Sequence, residues 1–276
     1  MTEKIAIQGL RGSFHHEAAT HFFGEELELI ECESFQSVVQ SVTEGTADKG
    51  IMAIENSLAG CILPNYQLLR KNEVEVIGEV GLRVHLNLMT LAGTKMEELE
   101  EVRSHQMALR QCGDFFSQYP NIRLVEHFDT AGSAQEIEKK NLKRIAAVAG
   151  RLAAKEYGLE ILKEGIEDHD LNYTSFKILQ RKGGRQEVDP DKVSIYFQTS
   201  NDPGSLAKAL TVISGLGINL GKLQSHPVPS KNTLYGFYAT LELTDADQLK
   251  DLKTMMKRMM LEFEILGVYK KGETYG

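Results

Sequence analysis

Apolar residues recur along the chain in two rhythms, and the switches between them mark its elements. "KIAIQ", "GIMAIENS" and "IAAVAG" are short, nearly continuous apolar runs ended by polar residues or glycine, the pattern of buried strands. Between such runs the period lengthens to that of a helix. Ser34 is placed to cap a helix in which Phe35, Val38, Val39 and Val42 recur at helical spacing, and Gly45 stops it. "GLRGSFHHEAATHFFG" reads as a glycine turn opening a helix. Further helices are predicted around "NYQLLRKN", through "HQMALRQCGDFFSQY", and in "AGSAQEIEKK" and "RLAAKEYG". "VEVIGEVGLRVHLNLMTLAG" holds two strands and "IRLVEHF" another, while "EDHDLNYTSFKILQR" is a polar turn followed by an extended segment. This alternation predicts an α/β region with a mostly parallel sheet.

"QRKGGRQEVDPDK" breaks the rhythm with glycine, charge and proline, and so marks a domain boundary. Beyond it the order is strand "KVSIYFQTS", helix "PGSLAKALTVISGLG", strands "INLGKLQSHPV" and "LYGFYATLEL", helix "ADQLKDLKTMMKRMM" and strand "FEILGVYK". That is the βαββαβ, ferredoxin-like arrangement. The expected division is residues 1–182, a linker at 183–191, and a second domain at 192–276. The edges of such an antiparallel sheet are open to pairing, which predicts dimerisation through this unit.

Composition narrows the function classes. A chain of 276 residues, 42% hydrophobic and 25% charged, is long enough for two globular units without metal or disulfide staples. A formal net charge of −8 with no lysine or arginine run argues against nucleic acid as a partner. No apolar run approaches the roughly 20 residues of a membrane span, and "MTEKIAIQG" enters a strand without a signal core, so a cytoplasmic location is expected. Cys32, Cys61 and Cys112 are odd in number and form no C-x-x-C pair; they read as reduced thiols in or near cores. In "HHEAATH", His16 and His21 are five apart and diverge on a helix, so no metal site is expected, and "EDHD" reads as a solvated turn.

Several strand-to-helix junctions carry polar residues where open α/β sheets bind ligands. Gly9, Gly12 and Ser13 form a G-x-x-G turn suited to an anion, but not the dinucleotide fingerprint, so no nucleotide cofactor is expected. Glu55, Asn56 and Ser57 end one strand, and Ser104 and Thr130 stand at two further junctions. Each reads equally well as a helix cap.

Taken in order, "GSFHHEAA", "AIENSLAG", "SHQMALRQC", "DTAGSA", "AAVAGRLAAKEYGL" and "NYTSF", followed by "GSLAKAL" and "INLGKLQSHP", resemble bacterial prephenate dehydratases with a carboxyl-terminal ACT domain over essentially the whole chain. The resemblance implies an α/β catalytic region of two lobes, similar to type II periplasmic binding proteins, with the site between them and a βαββαβ ACT domain behind. It implies conversion of prephenate to phenylpyruvate, water and carbon dioxide, with no metal or organic cofactor. It makes Thr174 the catalytic residue, with Asn172, Tyr173, Ser175 and Phe176 beside it. Substrate-binding residues implied in the other motifs are Gly12 and Ser13; Glu55, Asn56, Ser57 and Gly60; Ser104, His105 and Gln111; and Asp129, Thr130 and Ala131. L-phenylalanine is implied as an allosteric effector, held by Gly204, Ser205 and Leu206, by Asn219 and Leu220, and by Gln224, Ser225, His226 and Pro227.

Three departures accompany the resemblance. Ser175 stands where the family has arginine, Gln106 where it has proline, and Gln224 and His226 where it has glutamate and arginine. In a regular strand Ser175 points opposite Thr174 and Phe176, which makes the missing arginine a scaffold residue. If it met a substrate carboxylate instead, Arg11 or Arg110 is the expected substitute. Three other functions stay open on the sequence: decarboxylation without aromatisation, turnover of arogenate, and a non-catalytic sensor of aromatic metabolites.

Overall fold

The computed structural model of the protein describes residues 2–184, 189–228 and 234–276, so residues 185–188 of the expected linker lie outside the described residues. The chain opens with β1 (Lys4–Gln8), α1 (Phe14–Phe23), β2 (Glu28–Cys32), α2 (Phe35–Glu44), β3 (Lys49–Asn56), β4 (Gly60–Cys61), α3 (Leu63–Lys71) and β5 (Val74–Arg83). It then crosses to a second lobe: β6 (Asn87–Thr90), β7 (Glu101–His105), α4 (Gln106–Arg110), α5 (Gly113–Ser117), β8 (Arg123–His127), α6 (Thr130–Lys139), β9 (Ile145–Ala149), α7 (Arg151–Tyr157) and β10 (Glu160–Lys163). β11 (Tyr173–Arg181) returns to the first lobe. Last come β12 (Lys192–Thr199), α8 (Ser205–Gly215), β13 (Asn219–Pro227), β14 (Tyr235–Glu242), α9 (Ala246–Met259), β15 (Glu262–Tyr269) and β16 (Thr274–Tyr275).

Local chemistry explains most of these boundaries. Ser34 caps α2 by accepting from the Ser37 N–H, Val38, Val39 and Val42 turn its apolar face inward, and Gly45 ends it at φ +79°. The helix expected through "HQMALRQCGDFFSQY" is two short ones. α5 begins anew at Gly113, where the Asp168 carboxylate accepts from the Gly113 and Asp114 N–H groups.

The second sheet has the order β10-β6-β9-β7-β8, while the first runs β13-β14-β12-β15-β5-β11-β3-β1-β2. β1, β2 and β3 are parallel, but β11 is antiparallel to both β3 and β5. The first sheet is therefore mixed rather than mostly parallel, because the chain re-enters it from the opposite lobe. The two crossings are held by one buried carboxylate: Glu167 accepts from the Leu86 N–H at 2.9 Å and lies 2.8 Å from His85 Nδ1. Within "EDHD", Glu167 and Asp168 thus staple the hinge, while His169 and Asp170 are exposed, as expected of a solvated turn.

The carboxyl-terminal unit has the expected βαββαβ order. Val193, Ile195 and Phe197 bury one sheet face with apolar residues of α8 and α9. Alternate residues look the other way. Tyr238 meets Tyr66 of α3 with ring centroids 4.9 Å apart, and the Arg70 guanidinium lies 3.8 Å over the Tyr196 ring. One edge of this sheet is consumed within the chain, where Gly267 of β15 pairs with Val76 of β5. A side chain at position 267 would strike the Val76 carbonyl, so only glycine permits the seam.

Candidate active site between the lobes

A cavity of about 480 Å³ opens where the carboxyl ends of β1, β3 and β7 face each other across the lobes. Among the expected substrate-binding residues, Ser13, Asn56, His105, Gln111, Asp129, Thr130 and Phe176 line it, together with Thr174. α1 and α6 present their amino termini here, capped by Ser13 and Asp129, and supply the partial positive charge that an anion needs. Among the described residues lining the cavity there is no lysine or arginine, so Arg11 and Arg110 do not take the place of the family's arginine there.

Three amides fix the polarity of the centre. The Asn56 Oδ1 accepts from the N–H groups of Leu58, at 3.0 Å, and Ala59, at 2.9 Å. Its Nδ2 must therefore be the donor, to Thr174 Oγ1 at 3.0 Å and to Asn172 Oδ1 at 2.7 Å. Asn172 in turn donates to Gln111 Oε1 at 3.1 Å. By elimination, the Thr174 hydroxyl keeps its proton, and Gln111 keeps its N–H₂ group, for whatever enters the cavity. Because Gln111 belongs to the second lobe and Asn56 to the first, the chain of amides closes only when the lobes are together.

The other expected residues lie elsewhere. Ser57 Oγ donates to the Leu171 carbonyl at 2.7 Å and accepts from the Tyr173 N–H at 2.9 Å, tying β3 to the incoming β11. Ser104 is fully buried and donates to the Val148 carbonyl at 2.6 Å, and Ala131 sits in the core beneath α6. Gly12, at φ +81°, lets the first lobe approach Ala153 of the second; a β-carbon there would lie 2.7 Å from the Ala153 Cα. Gly60 makes a turn at φ +83°. Glu55, Tyr173 and Ser175 face the opposite side of the sheet, beside Glu79 and Lys192. Strand alternation puts Thr174 and Phe176 in the cavity and Ser175 outside it, so an arginine at this position would not have met a ligand there. On β13, His226 is buried with its ring stacked on Tyr238 at 5.1 Å, on the face turned toward α3.

Motif reading missed several wall residues: Gln8, His15, Phe35, Ile62, Met107 and Phe128. His15 matters most. Burial lowers its pKa to about 3, so the ring is neutral; Nε2 accepts from the Ala53 N–H at 3.3 Å, and the ring meets Phe176 edge-on at 5.0 Å. The one signal was the cluster of histidines, weighed in the sequence only as a metal site and set aside. Among the described residues no group of three or more His, Cys, Asp or Glu is placed to hold a metal ion, and no helix is long and apolar enough to cross a membrane. Cys32 and Cys112 are buried and Cys61 half-buried, all as free thiols.

Fold and site together define a two-lobed α/β protein, with a helix-capped cleft whose largely apolar wall carries a few convergent polar groups and a βαββαβ unit fused to one lobe. The model of the prephenate dehydratase family matches residues 5–184, and the chain belongs to that family of enzymes. Arogenate dehydratase 2 of Petunia hybrida is 34% identical over 96% of this chain and 71% of its own. Among solved structures, GqqA, described as a novel type of quorum quenching acylase, shares 28% identity at a TM-score of 0.86, covering 97% of this chain and 98% of its own. The prephenate dehydratase from Arthrobacter aurescens, solved with L-Phe, has the same fold at 23% identity and a TM-score of 0.84, covering 97% of this chain and 90% of its own.

Proposed function

We propose that the cleft converts prephenate to phenylpyruvate, with Thr174 as the residue that assists departure of the ring hydroxyl. The electrons of the bond to the ring carboxylate enter the ring, carbon dioxide leaves, and the hydroxyl departs with a proton as water. A lone threonine is a weak acid. Here the Asn56 N–H polarises its oxygen and leaves its hydrogen to stabilise the charge that develops on the departing oxygen. Gln111, Ser13 and the amino termini of α1 and α6 supply donors for the carboxylates and the keto oxygen, while Phe176 and neutral His15 pack the ring. The observation that carries this reading is the orientation of the Asn56 amide.

Residues 1–182 form the catalytic region in this reading, 183–191 the linker and 192–276 an ACT domain that takes L-phenylalanine as an inhibitor in a homodimer or homotetramer in the cytoplasm. The L-Phe bound to the structurally similar A. aurescens enzyme supports an amino-acid effector. Gly204 to Leu206 and the β13 segment remain the proposed contacts, through backbone groups for the most part. Likeness to an acylase raises acyl transfer as a second chemistry, but no described hydrogen bond in the cavity pairs a hydroxyl or thiol with a histidine. His15 and His105 accept from backbone N–H groups instead. Incubation with prephenate followed by product identification tests the reading. Phenylpyruvate supports it, whereas a dihydroaromatic keto acid or unchanged prephenate overturns it.

A further inference from the structure

A second cavity, of about 400 Å³, lies behind β11, between its reverse face, β3, β5 and the turn that leads into β16. Thr174 borders both this cavity and the cleft. Small residues open the space. Ser175 pairs with Gly81 of β5 across the sheet, so two neighbouring positions carry no more than a hydroxymethyl group and a hydrogen. The volume falls within the range of small-molecule sites.

Its floor is a charged triad. Glu79, two residues before Gly81, accepts from Lys177 Nζ at 2.6 Å and from Lys192 Nζ at 2.5 Å. Burial works against the Glu79 charge, but the two ammonium groups outweigh it and hold the carboxyl below its ordinary pKa. The triad therefore has one more ammonium than carboxylate. Lys177 spends a second N–H on Tyr269 Oη at 2.6 Å. Lys192 has three N–H groups and a side chain only 14% exposed, yet among the described hydrogen bonds its ammonium reaches Glu79 alone. The hydroxyls of Ser175 and Thr274, which also line the cavity, have no partner among the described hydrogen bonds. Other carboxylates nearby are already matched. Glu55 lies 2.7 Å from Lys222 Nζ, Glu242 lies 3.0 Å from Lys271 Nζ at the rim, and Asp191 accepts from the Lys271 N–H at 2.5 Å. Spare donors around a surplus positive charge suit an acceptor that carries one negative charge.

We propose that this cavity is a second ligand site, which takes the carboxylate of a small organic acid on Lys192 Nζ and the hydroxyls of Ser175 and Thr274. A carboxylate offers about four lone-pair sites, enough to accept from an ammonium and two hydroxyls at once. Its single charge matches the surplus of the triad. A phosphate group, with close to two charges at neutral pH, would set its second charge against Glu55 and Glu79. The site stands apart from the reaction in the cleft, because Ser175 and Lys192 lie on the other side of the sheet.

Isothermal titration with sodium benzoate tests the site, with benzamide as the uncharged counterpart and inorganic phosphate as the alternative oxyanion. The native protein is expected to bind benzoate saturably and at least about tenfold more tightly than benzamide, since only benzoate makes the charge-assisted bond. Two variants place that binding. Ser175→Arg fills the cavity from the same face of β11, and Lys192→Met removes the ammonium while Lys177 still answers Glu79. Each is expected to weaken benzoate binding about 10- to 100-fold, as for loss of one charge-assisted hydrogen bond. Circular dichroism shows which variants are folded, and one folded variant decides the matter. Benzoate affinity within twofold of native in a folded variant puts the acid outside this cavity and overturns the proposal. Absence of saturable benzoate binding, equal binding of benzamide, or tighter binding of phosphate than of benzoate by the native protein overturns it as well.

Discussion

Lys222 Nζ lies 2.7 Å from Glu55 Oε2, joining the strand that carries the proposed effector segment to the strand that carries Asn56. Lys222 stands on β13 two residues before Gln224, and Glu55 immediately precedes the asparagine whose amide holds Thr174. In the proposed reading, a shift of β13 on effector binding is transmitted through this ion pair to the strand beside the Thr174 hydroxyl within one chain. Lys222→Met is expected to keep native turnover without effector. It should raise the phenylalanine concentration for half-inhibition about fivefold or more, within the usual 5- to 150-fold range of allosteric coupling. Equal inhibition curves for the two proteins would show that coupling runs elsewhere.

The Asn56 amide sets the polarity of the centre, which an isosteric change reverses. Asn56→Asp keeps the acceptor for the Leu58 and Ala59 N–H groups and removes the donor to Thr174 and to Asn172. The Thr174 hydrogen then turns to the new carboxylate. A fall of about 10²- to 10³-fold in kcat is expected, as for loss of one preorganised donor, with little change in melting temperature. Steady-state kinetics and a thermal melt check both halves.

His15 supplies a pH dependence with a definite sign. Its folded-state pKa is depressed to about 3, while the unfolded chain titrates near the ordinary histidine value of 6.5. The stabilisation from keeping this ring neutral is present above the unfolded value and is lost as pH falls toward the folded one. Stability is expected to drop by about 1.4 kcal/mol per pH unit through that window. His15→Gln keeps an acceptor for the Ala53 N–H and cannot titrate. Its acid-unfolding midpoint, followed by circular dichroism, should move to lower pH than that of the native protein.

Much of this architecture was readable from residues alone. All six elements of the carboxyl-terminal unit appear in the order that the sequence predicts, because the apolar runs of β12, β14 and β15 and the amphipathic α8 and α9 build one core. β2, β4, β7, β10 and β16 were not foreseen. Their sequences, such as "ELIEC" and "EVRSH", mix charge into buried and half-buried positions and so lack either rhythm. The mixed order of the first sheet was hidden too, since the return of β11 from the second lobe is a property of the hinge, and the glutamate that staples it sits in a polar run. The junction residues Ser13, Asn56 and Thr130 line the cavity, and the sequence singles them out because caps and ligand contacts favour the same residue types. Ser57 and Ser104 carry the same signal and serve the scaffold instead. The apolar wall residues Ile62, Met107 and Phe128 give no signal that separates them from core.

Single-turnover chemistry with Thr174→Val tests the central claim most directly. The substitution keeps the shape of the side chain and removes only the hydroxyl that Asn56 orients. The account predicts a loss of about 10²- to 10⁴-fold in the rate of phenylpyruvate formation from bound prephenate, with Thr174→Ser retaining most of it. A valine variant that forms product at the native rate would contradict the account.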